Sequence, residues 1–286
     1  KLGLNGRSFI PMMMGFGCTV PAVMSARSMN NDRDRRFTIM LTPFMSCGAK
    51  VPIYALFTRA FFPGNQVWVM TCMYLLGIVV AICAGLVLKR TVFHGDAAPF
   101  IMELPVYRLP TPANVLRQMW DKAKDFLQRA FTVIFLATLV VWFLQNFTFR
   151  LEMTADIGES MLGKIAGLIA PVFAPAGFGS VEASTAVLTG LMAKESVVST
   201  LAVLSGVDAE SAQMVAVMNQ IFPSTLAAVS FLVFVLLYMP CVAAVAAMRR
   251  EMESSRWAYG TIAAQTALAW TLATLVFQLG RVLGLG

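Results

Sequence analysis

VWVMTCMYLLGIVVAICAGLVL, residues 67–88, carries no charge and shows no alternation of apolar with polar positions. Its 22 residues exceed the roughly 20 that a helix needs to cross a 30 Å hydrocarbon core. A membrane barrel strand would be about 10 residues of alternating pattern. Hydrocarbon offers exposed backbone no partners, so the segment reads as a transmembrane helix.

Two further stretches have the same character: AFTVIFLATLVVWFLQNFTF (130–149) and STLAAVSFLVFVLLYMPCVAAVAA (224–247). A fourth span, 257–280, is flanked by Trp257 and Tyr259 on one side and Arg281 on the other, as at a membrane interface. Composition agrees. The 286 residues are 58% hydrophobic and 13% charged, with mean hydropathy +0.73, against about 45–50% apolar in soluble domains. The fold class is therefore all-α, a polytopic transmembrane helix bundle.

The net charge of +7 sits between the apolar runs, without the basic and aromatic stripe that would bind nucleic acid. Basic residues gather at 27–36 (RSMNNDRDRR), from Lys89 to Arg129, and at 249–256 (RREMESSR). By the positive-inside rule these three regions face the cytoplasm, whereas 63–66 and 151–180 are outer connections. An even number of crossings is then required between 149 and 224. Only 181–204 resembles a span there, and it contains Glu182, Lys194 and Glu195, while 209–222 is short and amphipathic. Parity therefore predicts a re-entrant or broken pair. Residues 113–129 place apolar side chains on one face and charges on the other, which predicts an interfacial helix leading into the span at 130–149.

The remaining apolar stretches cannot be smooth helices. Residues 8–26 carry Pro11, Gly15, Gly17 and Pro21, and 37–62 carry Pro43, Gly48 and Pro52. Proline removes a backbone donor, so such breaks persist at membrane depth only where protein or a wet cavity serves the freed groups. In transporters they mark the binding site.

Within the breaks, GFGCTVPA (15–22) and PFMSCGAKVP (43–52) share one design, a cysteine beside glycine with proline soon after, and YMPC (238–241) repeats it. Thiols and unwound carbonyls suit a path for a borderline or soft metal ion. Cys18, Cys47 and Cys241 are the candidate ligands, with Met45 as a thioether two residues before Cys47. Cys72 and Cys83, in unbroken helix, are packing residues. The five cysteines are an odd number without disulfide spacing, so free thiols are expected. Glu195 beside Lys194 is an ionisable pair inside a membrane segment, hence a functional candidate that could accept a dication or proton while the lysine pairs or snorkels.

Enzymatic readings are poorly supported. Ser184, Ser196 and Ser199 flank Lys194, yet no nucleophile elbow or HExxH accompanies them. The single histidine, His94, falls in a basic loop, which excludes a histidine-rich zinc site. No GxxxxGK[ST] phosphate cradle occurs, so no nucleotide cofactor is expected in this chain.

LNGRSFIPMMMGFGCTVPAVM, LTPFMSCGAKVPIYALF, MELPVYRLPTP, GLMAKESVVSTL and SFLVFVLLYMPCVAAVAAMRRE together resemble the membrane domain of bacterial ferrous iron transport protein B, FeoB. The resemblance implies Fe(II) uptake across the inner membrane. It also implies a GTP- and Mg(II)-binding domain elsewhere in the full-length protein, FeoA and FeoC as accessory partners, contact with membrane lipid, and a possible homo-oligomer. It further implies Gate-type modules of inverted topology, dividing the chain into 1–112, a core with Gly-Cys-Pro breaks; 113–205, a second Gate module; and 206–286, the C-terminal helices. Cys18, Cys47 and Cys241 fall on the family's cysteine positions. The rival readings are a Gate-type carrier of Mn(II) or a nucleoside, and a membrane scaffold that transports nothing.

Overall fold

The computed structural model describes residue 4 and residues 6–29, 31–93, 110–150, 152–154, 158–208 and 211–284. His94 and most of MELPVYRLPTP lie outside them. Thirteen α-helices and no strand occur among the described residues, with one isolated bridge, Phe147 to Met153. The fold class expected from composition is the one observed.

The smooth spans are α5 (Gln66–Thr91), α6 (Pro112–Asn146) and α13 (Ser255–Val282). Helix α6 runs without interruption through the segment expected to lie at the interface, so the amphipathic stretch and the span are one 35-residue helix. The other spans are broken. Residues 8–26 divide into α1 (Phe9–Gly15) and α2 (Thr19–Ser25), and 32–61 into α3 (Asp32–Leu41) and α4 (Val51–Phe61). The predicted smooth span at 224–247 is likewise two helices, α11 (Thr225–Leu237) and α12 (Val242–Glu251), because Pro240 cannot continue the first.

Between α6 and α11 the expectation needs correction. Residues 161–176 are not an outer connection but α7 (Met161–Phe173) and a short 3-10 turn. They bend by 102° into α8 (Val181–Gly190), so a broken or re-entrant pair does occur between α6 and α11, but it starts at Met161, ahead of the 181–222 stretch where one was expected. The turn uses Gly177 at φ +85°, a left-handed conformation that favours glycine. The proposed span at 181–204 is split by Leu191–Glu195 into α8 and α9 (Ser196–Ser205), followed by α10 (Ala212–Ile221).

Helix α11 is apolar on every face, and such a helix belongs in the centre. Ten of its 13 residues are buried. Phe231 stacks on Phe57 of α4 at 5.1 Å and meets Phe178 edge-on at 5.3 Å; Phe234 packs on Phe173 at 5.2 Å. Helix α13 lies along α11, held by the Ser230 hydroxyl donating to the Ala273 carbonyl at 2.9 Å.

Helix α13 also serves the breaks. Gln265 Nε2 donates to the Met40 carbonyl at 3.2 Å, Trp270 Nε1 to Val172 at 2.9 Å and Gln278 Nε2 to Pro175 at 2.8 Å. Each acceptor lies in the last turn of a helix or the turn just after it, where backbone acceptors lose their intrahelical partners.

The basic regions converge on one end of the bundle. Arg27 pairs with Glu251, Arg35 with Glu253 at 3.3 Å and Asp32 at 3.0 Å, and Arg33 donates to the Phe93 carbonyl at 2.8 Å. Arg36 sits 5.9 Å over the Trp257 ring. Residues 27–36, the end of α5 and the turn from α12 to α13 therefore share a side, as the charge pattern predicted.

Candidate functional site

All three break cysteines adopt extended backbone and stand immediately before a helix. Cys18 (φ −149°, ψ 132°) precedes α2, Cys47 (φ −75°, ψ 160°) precedes the 3-10 turn into α4, and Cys241 (φ −60°, ψ 157°) precedes α12. The first two breaks are tied by a backbone bond, the Gly48 N–H donating to the Gly17 carbonyl at 3.0 Å, and Pro240 ends the ladder of α11. A second bond, Val242 N–H to the Leu191 carbonyl at 2.9 Å, joins the break at 238–241 to the break at 191–195.

These contacts gather the breaks around one cavity of about 170 Å³, lined by Cys18, Cys47, Cys241, Glu195, Lys50 and Lys194 among others. Four of the five sequence-predicted metal residues therefore share a cavity. Met45 does not line it. Its side chain is 3% exposed and packs where Gly15 leaves room, a Cβ on that glycine standing 3.2 Å from the Met45 Cβ. Among the described residues, no three His, Cys, Asp or Glu side chains stand close enough to hold a metal ion together. The five thiols are free.

Lys194 does not pair with Glu195. Its ammonium donates to the Met239 carbonyl at 3.0 Å and lies 3.1 Å from the centre of the Tyr238 ring, so the electrostatic partners are a carbonyl dipole and an aromatic face. Glu195, the residue before α9, lines the cavity with an exposed side chain.

Lys50 is the residue that sequence reasoning passed over. It is 3% exposed, and its ammonium donates to Leu236 at 2.7 Å, Met45 at 3.3 Å and Pro43 at 3.5 Å. Two lysines thus bracket the break between α11 and α12, one at Leu236 and the other at Met239. Burying an ammonium is costly; carbonyls freed by the breaks supply the compensating partners. The signal was present, since an ionisable residue inside PFMSCGAKVP meets the criterion that singled out Lys194.

Cavities adjoin the site on both sides along the inner face of α6. Toward the basic end lie one of about 190 Å³, reaching Val133, Arg250 and Glu251, and another of about 560 Å³, reaching Lys122 and Phe126. Toward the opposite end lies one of about 210 Å³ that includes Ile134, Trp142 and Gln145. From Lys122 to Gln145 a helix rises about 34 Å at 1.5 Å per residue, comparable with the hydrocarbon core. Broken helices thus surround a central thiol cavity, with flanking cavities over that depth.

The family model for nucleoside recognition, Gate, matches residues 1–61 and 127–255, well over half of the chain. The chain belongs to the Gate family. Within this Gate protein, the model for the ferrous iron transport protein B C terminus matches residues 70–122, lying between the two Gate segments. The Fe(2+) transporter FeoB of Staphylococcus aureus strain COL is 39% identical over 282 residues, 99% of this chain and 42% of that protein. FeoB of Salmonella typhi is 37% identical, covering 97% of this chain and 42% of its own. A fusion of Fe(2+) transport protein A with FeoB from Porphyromonas gingivalis is 35% identical over 98% of this chain and 38% of its own. The chain spans about two fifths of the length of these curated relatives, and the resemblance to the FeoB membrane part holds along almost all of it. No solved structure matches the chain.

Proposed function

We propose that this Gate-type chain is the membrane path for Fe(II) in a GTP-dependent uptake system of the bacterial inner membrane. The observation that carries the reading is the convergence of three break cysteines on one cavity with further cavities on either side. Fe(II) is borderline between hard and soft, and a set of thiols with one carboxylate favours it over magnesium or calcium. The thiols lose their protons to bind metal, so loading the cavity releases protons. Cys18, Cys47 and Cys241 act as successive ligands, and Glu195 as a carboxylate way station. Met45 contributes its carbonyl to the Lys50 clamp instead of a sulfur to the ion. The chain spends no nucleotide; GTP and Mg(II) act on a separate domain of the longer protein, and FeoA- and FeoC-type proteins join from the basic end.

Radio-iron uptake by the full-length protein, in cells without another Fe(II) importer, tests this. Replacing Cys18, Cys47 and Cys241 together by Ser lowers uptake by more than about tenfold, whereas replacing Cys72 and Cys83 by Ser leaves it unchanged. Undiminished uptake in the triple variant rules out the thiol path. Mn(II) competition separates the iron reading from a broader metal carrier.

A further inference from the structure

The cavity between the cysteines and the end of α6 remote from the basic residues has a different chemistry. Its polar lining comes from Thr138, Trp142 and Gln145 of α6 and Ser196, Ser199 and Thr200 of α9, without a charged side chain or a sulfur from cysteine. The hydroxyl protons of both threonines are committed elsewhere. Thr138 Oγ1 donates to the Ile134 carbonyl at 2.8 Å. Thr200 Oγ1 donates to Thr189 Oγ1 at 2.9 Å, which itself donates to the Ala186 carbonyl at 3.0 Å.

A hydroxyl whose proton is spent presents only its oxygen lone pairs. The threonines therefore offer acceptors to whatever occupies the cavity, and acceptors suit a cation or the outward-pointing hydrogens of its waters. The volume of about 210 Å³ holds a divalent ion with several waters at roughly 30 Å³ each. Ile134, Met192 and Ala193 line both this cavity and the thiol cavity, so the two adjoin.

We infer that this compartment is a second, oxygen-lined ion site that receives the divalent cation while it is still partly hydrated and passes it to the cysteines. The assignment rests on the permease reading above and divides its labour. Oxygen ligands accept Fe(II) and Mn(II) alike, and discrimination begins only where thiols replace water. Thr138 and Thr200 are the residues that set its acceptor character. Two separate donations, from Thr138 to the Ile134 carbonyl and from Thr200 through Thr189 to the Ala186 carbonyl, keep that character fixed.

The test uses the full-length protein with Fe(II) as cargo and Mn(II) as competitor. A variant carrying Thr138→Val and Thr200→Val keeps the side-chain shape and removes both oxygens. The half-saturating Fe(II) concentration and the Mn(II) inhibition constant then rise together, by about tenfold. Thr138→Ser and Thr200→Ser keep the oxygens and stay near wild type. Unchanged constants in the valine variant overturn the site. So does an equal loss in the serine variant, which would mean that packing alone was disturbed. The cysteine variants keep the two readings apart, since they shift the preference between Fe(II) and Mn(II). Loss of uptake in the cysteine variants with intact behaviour in the valine variant removes only the oxygen site; the reverse pattern removes only the thiol path.

Discussion

Helix α6 and the pair α11–α12 are both long apolar spans, yet the protein treats them in opposite ways. None of the most apolar window of α6 is buried by protein, whereas 67% of that of α11–α12 is, and the broken pair α3–α4 reaches 72%. The other smooth spans, α5 and α13, are 22% and 17% buried. The physical reason is that a continuous helix satisfies its own backbone and can face lipid, while an interrupted one exposes carbonyls and amides that need protein partners. Breaks therefore occupy the centre, and the same unwound backbone that needs covering borders the cavity where the three break cysteines meet. Smooth helices form the wall.

The contrast can be broken most severely at Lys50. Lys50→Met leaves the Leu236 carbonyl without its 2.7 Å donor in a buried break, a loss of about 3 kcal/mol on the scale of charged hydrogen bonds. Thermal unfolding in detergent shows the lower stability, and iron uptake falls with it. Removing a charge from the end of a smooth helix, as in Arg117→Met, changes stability by no more than about 0.5 kcal/mol.

Gly77 tests where a wall helix touches a break. A Cβ there would stand 2.7 Å from the Phe44 carbonyl oxygen, which is backbone and cannot rotate away. Gly77→Ala therefore destabilises by about 1–3 kcal/mol through overpacking. Gly260 in α13 has nothing within 4 Å of an added Cβ, and Gly260→Ala stabilises by about 0.4–1 kcal/mol. The same substitution in two wall helices thus takes opposite signs, read from one unfolding series.

A smaller effect is expected on the lipid-facing side of α6. Leu136 is 55% exposed, and Leu136→Ala shifts the unfolding midpoint by an amount corresponding to less than about 0.5 kcal/mol. A large loss there would mean that α6 is covered by something in the working assembly, and would sharpen the division between wall and path.

Much of this division was legible before folding. The apolar runs gave α5, α6 and α13, the Gly-Cys-Pro patterns located the breaks around Cys18 and Cys47, and the basic segments identified the shared end of the bundle. The Pro240–Cys241 pattern was read correctly as a break, although the run 224–247 containing it also passed as a smooth span. Residues 161–176 were misread because MLGKIAGLIAPVF is shorter than a span and carries Pro171 near its end with Pro175 just beyond, so neither length nor charge marked it. Lys194 was singled out for its charge, with pairing or snorkelling left open, since adjacency in sequence names no partner. In the structure the ammonium reaches 45 positions away, to Met239.

By itself, the sequence determined membrane residence, helical class, the breaks at Cys18, Cys47 and Cys241 and which segments carry the positive charge. Those follow from hydrocarbon solvation, proline's missing donor and glycine's freedom, all local properties of the chain. The tertiary structure alone decided that Cys18, Cys47 and Cys241 meet around one cavity, that Met45 turns away from it, and that two lysines hold the break between α11 and α12. Those outcomes depend on which donor reaches which freed carbonyl across the bundle, and residues 186 positions apart, as Lys50 and Leu236 are, become neighbours only when the helices have packed.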